Sequence, residues 1–207
     1  VNPAAGMETE LTLTPAPKKK KVLVIGGGPA GMKAAMTLSD RGHQAILVEK
    51  SSRLGGQILL NKKIPGRGEI LLAAGDLEKN LNARPVEILL GKEADEAFIR
   101  ETAPDAMIVA TGATPLLPSI PGIRHSKVVL AWDVLAGNAA VGRKVVIVGG
   151  NAVGLETALY LAQHGTISPE LLHFLMVNKA ESPDRLEQLL NQGDKEVCVV
   201  EMTRKVG

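Results

Sequence analysis

Three glycines with the spacing G-x-G-x-x-G, at Gly26, Gly28 and Gly31, are the residues of this chain best suited to chemistry. This spacing is typical of a turn that binds the pyrophosphate of a dinucleotide. The first glycine permits a tight turn, the second lets the backbone approach the pyrophosphate, and the third lets a helix pack closely on a strand. The helix predicted from Met32 onward directs unpaired N–H groups at the phosphates, and Pro29 and Ala30 in the turn before it are included as binding residues. A turn that only caps a helix is the simpler alternative.

A carboxylate at the end of the next apolar run is the second feature of this site. Glu49 is placed to accept hydrogen bonds from the two ribose hydroxyls, and an exposed strand-end carboxylate is the alternative. Lys50 is included as a binding residue, although it could simply be solvated. Two small-residue segments could also approach a ligand, and an ordinary loop or turn is the alternative for both: Gly55, Gly56 and Gln57, and Ala110, Thr111 and Gly112.

A second, altered copy of the fingerprint occurs later in the chain. Gly149 and Gly154 keep their places, but Asn151 stands at the middle glycine, where its side chain could crowd a pyrophosphate. Because asparagine tolerates left-handed backbone better than most residues, we expect the turn to survive. Glu201 ends the predicted partner strand and favours NADH over NADPH, although the basic residues at 204 and 205 leave NADPH open. A turn that binds nothing is the alternative.

The elements that must position these residues follow a strand–turn–helix pattern. Val22–Ile25 and Ala45–Val48 are short apolar runs typical of buried parallel strands, and a helix over 32–39 joins them into a βαβ unit. Residues 51–68 are predicted as a long loop. Further strands are predicted at Val86–Leu90, Asp105–Ala110 and Val145–Val148, and helices at Glu69–Leu81, Asp133–Gly137 and Leu155–Gln163.

This pattern predicts an α/β protein with two Rossmann-like nucleotide-binding units. The resemblance given below implies that the first is an incomplete FAD-binding domain and the second the start of an NAD-binding one. We assign 1–17 to a linker, 18–142 to the FAD-binding domain, and 143–207 to a partial NAD-binding domain with a helical insertion at 166–196. Both ends of the chain look cut. The basic run Lys18–Lys21 is interpreted as a solvated lead-in to a strand rather than a nuclear-localisation patch.

Composition excludes several other classes of function. The net charge is +2 and aromatic residues make up 2%, which argues against a nucleic-acid binder. Cys198 is the single cysteine, so redox chemistry must come from a cofactor rather than from a CxxC pair. We predict no metal site and no catalytic acid or base. Without an apolar run long enough to span a membrane, a cytoplasmic protein is the simplest interpretation.

Taken in order, five motifs resemble the FAD/NAD part of the 2,4-dienoyl-CoA reductase and 2-enoate reductase group, which belongs with the NADH:flavin oxidoreductases and trimethylamine dehydrogenase. The resemblance covers about 18–207, and the insertion resembles the enoate-reductase branch. The motifs are VIGGGPAG at 24–31, VEK at 48–50, LGGQ at 54–57, ATGA at 110–113 and VIVGG at 146–150.

The resemblance implies further properties. It implies FAD beside Gly56, Gln57 and the pair Thr111-Gly112, the adenine near Ala94, and Glu156 toward the nicotinamide. It also implies a longer parent chain with an N-terminal FMN barrel and a 4Fe–4S cluster, and the first three residues, Val-Asn-Pro, resemble the segment after the last cluster cysteine. Electrons would pass from NAD(P)H to FAD, the cluster and FMN, and then to an enoate- or enoyl-CoA-like substrate.

The hypothesis is therefore a fragment of an NADH-dependent flavin oxidoreductase. The first alternative is another two-dinucleotide flavoprotein, similar to ferredoxin reductase or to the glutamate synthase small subunit. The second is a non-catalytic scaffold that holds ADP or an inactive FAD. A protein-interaction module built on 166–196 is a third. The sequence does not specify the final substrate, the oligomeric state, or whether the chain alone retains FAD.

Overall fold

A computed structural model describes residues 5–204 of the chain. The predictions for Val-Asn-Pro at the start and for Lys205 lie outside these residues. The strands are β1 Lys21–Ile25, β2 Gln44–Glu49, β3 Glu87–Leu90, β4 Ala106–Val109, β5 Lys144–Val148 and β6 Glu196–Val200. The helices are α1 Pro29–Asp40, α2 Ile70–Asn82, α3 Glu96–Thr102, α4 Ala131–Ala136, α5 Ala152–Ala162, α6 Pro169–Val177 and α7 Pro183–Asn191, with a 3₁₀ helix at Gly56–Lys63.

The first unit is built on a four-stranded parallel sheet with the order β3-β2-β1-β4. This unit comprises the chain up to Leu59 and residues Glu69–Thr114. The α1 helix connects β1 to β2, so the predicted βαβ unit is confirmed. Parallel strands place all their carboxyl ends at one edge, and the glycine turn, Glu49 and the segment after β4 leave the sheet there.

The core of this unit consists of β1 and β2 packed against α1 and α2. Leu47, Met32 and Leu81 are fully buried in it, and Leu23 is fully buried in a second cluster with Ile46 and Val48, which accounts for the apolar runs in the sequence. Burying such side chains contributes about 1.5–3 kcal/mol each before conformational entropy is subtracted. The strands that carry the turn and Glu49 are therefore the most rigidly packed part of the unit.

The second unit contains the parallel pair β5-β6. The helices α5, α6 and α7 lie between these two strands in the sequence. This unit comprises Leu60–Gly68 and the chain from Pro115 onward. The segment predicted as a helical insertion contains two helices, each begun by a serine cap (Ser168 and Ser182) followed by proline.

Several predictions of local structure differ from the observed elements. The loop prediction for 51–68 is wrong over Gly56–Lys63, which forms a 3₁₀ helix. The α3 helix was not predicted, although Asp95 caps it by accepting a hydrogen bond from the Phe98 N–H at 2.8 Å. The strand prediction at Asp105–Ala110 is right in position, but Val109 is 70% exposed, because β4 is an edge strand with one open face in the described unit.

Within residues 5–204, no helix combines the length and apolar character needed to cross a membrane. Over the same range, no group of three or more histidine, cysteine, aspartate or glutamate side chains is arranged to hold a metal ion.

Candidate functional site

The first glycine turn is shaped by contacts that leave no room for side chains at two of its three glycines. Gly26 has φ +111°, and a Cβ there would lie 2.4 Å from the carbonyl oxygen of Ala110. A Cβ at Gly31 would lie 1.8 Å from the carbonyl oxygen of Gly26. These two glycines are therefore required by the packing of the turn itself.

Gly28 has no such internal requirement. It is the N-cap of α1, with an ordinary extended backbone at φ −73°, and a Cβ there would meet nothing within 4 Å. No side chain caps the helix, which starts with Pro29 and Ala30. The protein could accept a side chain here, so the glycine leaves open the space that a pyrophosphate needs above the helix N-terminus.

Glu49 lies beside this turn and is held by two backbone donors. Its Oε2 accepts a hydrogen bond from the Gly27 N–H at 2.6 Å, and its Oε1 accepts one from the Ser51 N–H at 2.8 Å. The side chain is buried, with only 9% of its surface exposed. Burial, the largest single cause, would raise the pKa of Glu49, but the hydrogen bonds from Gly27 and Ser51 together with the charge of Lys50 outweigh it and lower the pKa. The ionised carboxylate keeps further lone pairs for ribose hydroxyls.

The loop after Glu49 packs directly on the glycine turn. The Gly55 N–H donates to the Gly27 carbonyl at 2.9 Å, and a Cβ at Gly56 would lie 3.1 Å from the Gly28 Cα. Gly55 and Gly56 both have positive φ, +113° and +55°, so glycine suits both positions.

Gln57 connects this loop to the segment after β4. Its Nε2 donates to the Ala113 carbonyl at 2.7 Å, and a Cβ at Gly112 would lie 3.0 Å from the same nitrogen. The Ala110 N–H donates to the Ile25 carbonyl at 2.8 Å, which fixes the exit of β4 beside the turn. The two small-residue segments predicted from the sequence therefore lie together.

Two other predicted residues lie around Glu49. Lys50 is exposed, and its charge contributes to the lowered pKa of the glutamate. Ala94 packs against Val48 and its neighbours, and the Lys92 N–H before it donates to the Glu49 carbonyl at 3.1 Å. The structure thus gathers one set at the sheet edge: Gly26, Gly28, Pro29, Ala30, Gly31, Glu49, Lys50, Gly55, Gly56, Gln57, Ala94, Ala110, Thr111 and Gly112.

The second glycine turn repeats the first in its backbone. Gly149 has φ +110°, and its N–H donates to the Val200 carbonyl at 2.8 Å, as the Gly26 N–H donates to the Val48 carbonyl at 2.8 Å. A Cβ at Gly154 would lie 1.9 Å from the Gly149 carbonyl oxygen. The altered fingerprint therefore folds as a full copy of the strand–turn–helix unit.

Glu201 occupies the place in the second unit that Glu49 has in the first. Its Oε2 accepts the Gly150 N–H at 2.6 Å and its Oε1 accepts the Thr203 N–H at 2.9 Å. These backbone hydrogen bonds, that of Thr203 first, lower the pKa of Glu201. The carboxylate is ionised at neutral pH and turned toward the glycine turn.

The middle position of the second turn keeps the backbone but changes the chemistry. Asn151 has φ −77°, so the turn keeps its fold, as expected, and does so without left-handed backbone. Its Oδ1 accepts a hydrogen bond from the Gly154 N–H at 3.1 Å and caps α5.

Glu156, predicted near the nicotinamide, lies on α5 two residues after Gly154. Its carboxylate forms an ion pair with Arg67, and 21% of the glutamate side chain is exposed. Arg67 belongs to the same compact unit. Glu156 lies on the helix that starts at the second turn, and the positive charge of Arg67 holds its carboxylate there.

Sequence reasoning missed the backbone donors that hold the two glutamates. Gly27 and Gly150 stand at the first x of G-x-G-x-x-G, where the fingerprint specifies no residue type. Ser51 and Thr203 follow the glutamates by two residues. A hydroxyl residue at the same offset in both units was the available signal, because the side chains of Ser51 and Thr203 also bond to the glutamates and help to lower their pKa.

Comparisons with known proteins agree with this geometry. Residues 20–206 match the family model described as pyridine nucleotide-disulphide oxidoreductase. The chain is 42% identical to a metal reductase of Desulforamulus reducens over 100% of its own length and 32% of the relative. It is 46% identical to an NADH oxidase of Thermoanaerobacter brockii over 80% of its length and 26% of the relative.

One solved structure, a complex of 2-naphthoyl-CoA reductase with 2-naphthoyl-CoA, superposes with a TM-score of 0.77 and 31% identity. That match covers 97% of this chain and 31% of the other. The chain therefore spans about a quarter to a third of the length of these three proteins.

Proposed function

This chain belongs to the pyridine nucleotide-disulphide oxidoreductase family, and we propose on that basis that it is the FAD- and NADH-binding part of a flavin oxidoreductase. We assign the first glycine turn, in the unit around β1 and β2, to FAD. We assign the second, in the unit around β5 and β6, to NADH.

The observation that carries this proposal is the duplicated carboxylate arrangement. In both units a strand-end glutamate accepts a 2.6 Å hydrogen bond from the residue after the first glycine, Gly27 for Glu49 and Gly150 for Glu201. A dinucleotide turn needs such a carboxylate at the ribose and an open helix N-terminus at the pyrophosphate. The open space above Gly28 supplies the second requirement in the first unit.

The residues of this chain bind and orient rather than transfer protons. Glu49, held by Gly27, would accept hydrogen bonds from the adenosine ribose, the first turn of α1 would donate to the pyrophosphate, and Gln57 joins the two loops beside them. A bound flavin would supply the capacity to accept a hydride and pass electrons on singly. With Cys198 as the single cysteine, the chain itself supplies no dithiol pair.

The preference for NADH rests on Glu201. Its carboxylate is ionised and has lone pairs free for the ribose hydroxyls, whereas the 2′-phosphate of NADPH would be repelled by it. Arg204, three residues later, is exposed and could pair with a 2′-phosphate. NADPH therefore stays possible as the less favoured cofactor.

For the whole protein we propose onward electron transfer to an N-terminal module with FMN and a 4Fe–4S cluster, which reduces an unsaturated, enoate- or enoyl-CoA-like substrate. The 2-naphthoyl-CoA reductase supports this substrate class, because it is similar to nearly the whole chain. The metal reductase and NADH oxidase differ from it in their named activities, so this shared segment does not by itself select the acceptor. The cytoplasm remains the predicted location.

The experiment is anaerobic titration of the FAD-loaded chain with NADH, followed by the visible absorbance of the flavin. We expect NADH to bleach the flavin, and NADPH to do so only at higher concentration. A chain that binds ADP and FAD but shows no reduction at saturating NADH would instead be a nucleotide-binding scaffold. Glu201→Ala is the matched control, because it removes the ribose acceptor of the second unit and leaves the first intact.

A further inference from the structure

The two glycine turns have the same backbone but differ at their middle position. Gly28 has φ −73° and ψ 179°, and Asn151 has φ −77° and ψ 178°. The carbonyl of each accepts the first helical hydrogen bond at 2.9 Å, from Met32 and Leu155 respectively. The turn therefore tolerates a side chain at this position without any change in conformation, and what differs is the space above the helix.

The Asn151 side chain is folded back onto its own helix. Its Oδ1 accepts the Gly154 N–H at 3.1 Å, whereas Gly28 provides no side-chain cap for α1. Gly154 corresponds to Gly31 in the first turn. The carboxamide thus satisfies a donor of the α5 N-terminus and occupies the space that is open above Gly28.

A pyrophosphate entering the second turn must compete with this carboxamide. The phosphate oxygens need close approach to the backbone at the middle position, which is why glycine is favoured there. Because the Asn151 side chain is exposed, it can rotate away, at the cost of its hydrogen bond to Gly154.

We propose that Asn151 is a specificity-determining residue that lowers the affinity of the second turn for a dinucleotide, while Gly28 leaves the first turn free to hold one tightly. This inference rests on the proposed function. A resident flavin must stay bound, whereas a nicotinamide cofactor must bind and leave in each cycle. The difference between Gly28 and Asn151 would give the two copies of the unit these two different affinities. The asparagine, and not the backbone, sets this difference.

The test is a reciprocal exchange of the two residues. NADH affinity is measured by anaerobic fluorescence titration of the FAD-loaded chain after the flavin has been chemically reduced, so that no hydride transfer occurs, for the wild type and Asn151→Gly. FAD affinity is measured for the wild type and Gly28→Asn. We expect Asn151→Gly to bind NADH roughly tenfold more tightly, because a side-chain cap is worth about that factor. We expect Gly28→Asn to bind FAD more weakly by at least a similar factor.

A second readout reports the cap without any ligand. Glycine is itself tolerated at an N-cap, so Asn151→Gly should fold normally, but the Gly154 amide should exchange its hydrogen faster than in the wild type. In the wild type, saturating NADH should shift the Asn151 side-chain amide resonances. Asn151→Ala, which loses the cap but keeps a Cβ, should bind NADH with an affinity between those of the wild type and Asn151→Gly.

Two negative outcomes are distinguishable. If the wild type binds NADH and Asn151→Gly binds it no more tightly, the inference is overturned and the proposed function stands. If neither the wild type nor Asn151→Gly binds NADH, the assignment of the second turn to NADH fails, and the inference fails with it.

Discussion

The carboxylate of Glu49 and the backbone N–H of Gly27 are joined by a hydrogen bond of 2.6 Å inside the first strand–turn–helix unit. The bond joins the end of β2 to the turn that follows β1, so the ribose acceptor and the pyrophosphate turn hold a fixed position relative to one another. The second unit forms the same bond between Glu201 and Gly150, also at 2.6 Å. The two units therefore share one arrangement of carboxylate and turn, and this repetition supports the proposed pair of nucleotide sites.

Separate removal of the two carboxylates should separate the two sites. Glu49→Ala should weaken FAD binding roughly 10- to 100-fold, because hydrogen bonds to a charged group are each worth about 1.5–3 kcal/mol. Glu201→Ala should weaken NADH binding to the FAD-loaded chain by a similar factor and leave FAD affinity unchanged. Isothermal titration with each cofactor measures both effects. Equal loss of both affinities in both variants would contradict the assignment of one cofactor to each unit.

The stability of the chain should depend on pH through Glu49. Its pKa is lowered in the folded protein, since burial, which would raise it, is outweighed by hydrogen bonds from Gly27 and Ser51. The ionised form therefore stabilises the fold fully above the unfolded pKa, about 4.3, and this contribution is lost as the pH falls through the lower folded value.

Urea unfolding at several pH values checks this prediction. The difference in free energy of unfolding between the wild type and Glu49→Gln should be largest at neutral pH and should shrink as the pH falls below about 4.3. Glu10→Gln, an exposed carboxylate outside both sites, is the control. A difference that does not vary with pH would show that the carboxylate charge of Glu49 plays no part in holding the turn.

The third glycine of the fingerprint should be required for folding. Gly31→Ala places a Cβ 1.8 Å from the Gly26 carbonyl oxygen, so the helix must shift away from the turn. We expect a loss of about 1–3 kcal/mol or more in the free energy of unfolding. Gly75→Ala on α2 is the matched control, because its Cβ would meet nothing within 4 Å, and it should stabilise the chain by about 0.5–1 kcal/mol. Equal stability of the two variants in thermal unfolding would contradict this packing.

Local patterns in the sequence were sufficient for the elements of the first unit. The apolar runs that became β1 and β2 and the glycine spacing that begins α1 are short-range signals, and they predict the βαβ unit without knowledge of the rest of the fold. The α3 helix escaped prediction because its seven residues form less than two full turns, and its cap at Asp95 was a weak signal by itself.

The details of the site depended on register and backbone conformation, which periodicity does not reveal. The bond between Glu49 and Gly27 exists because Ile25 pairs with Val48, which brings the two strand ends level. Asn151 could be identified as a departure from the fingerprint, but its extended backbone and its bond to Gly154 are visible only in three dimensions.

Gly28→Ala tests most directly the proposal that the first glycine turn binds FAD. A Cβ at Gly28 meets nothing within 4 Å and its backbone is extended, so the substitution should leave the thermal stability of the free chain almost unchanged. Gly142→Ala, where a Cβ also meets nothing within 4 Å, is the control outside the turn. The measurement is an FAD titration followed by the flavin visible spectrum.

We expect the wild type and Gly142→Ala to bind FAD with equal affinity. We expect Gly28→Ala to bind FAD at least tenfold more weakly, with no loss of stability in the absence of FAD. If Gly28→Ala binds FAD as tightly as the wild type, the open space above this helix is not the pyrophosphate site, and the assignment of the first turn to FAD is wrong.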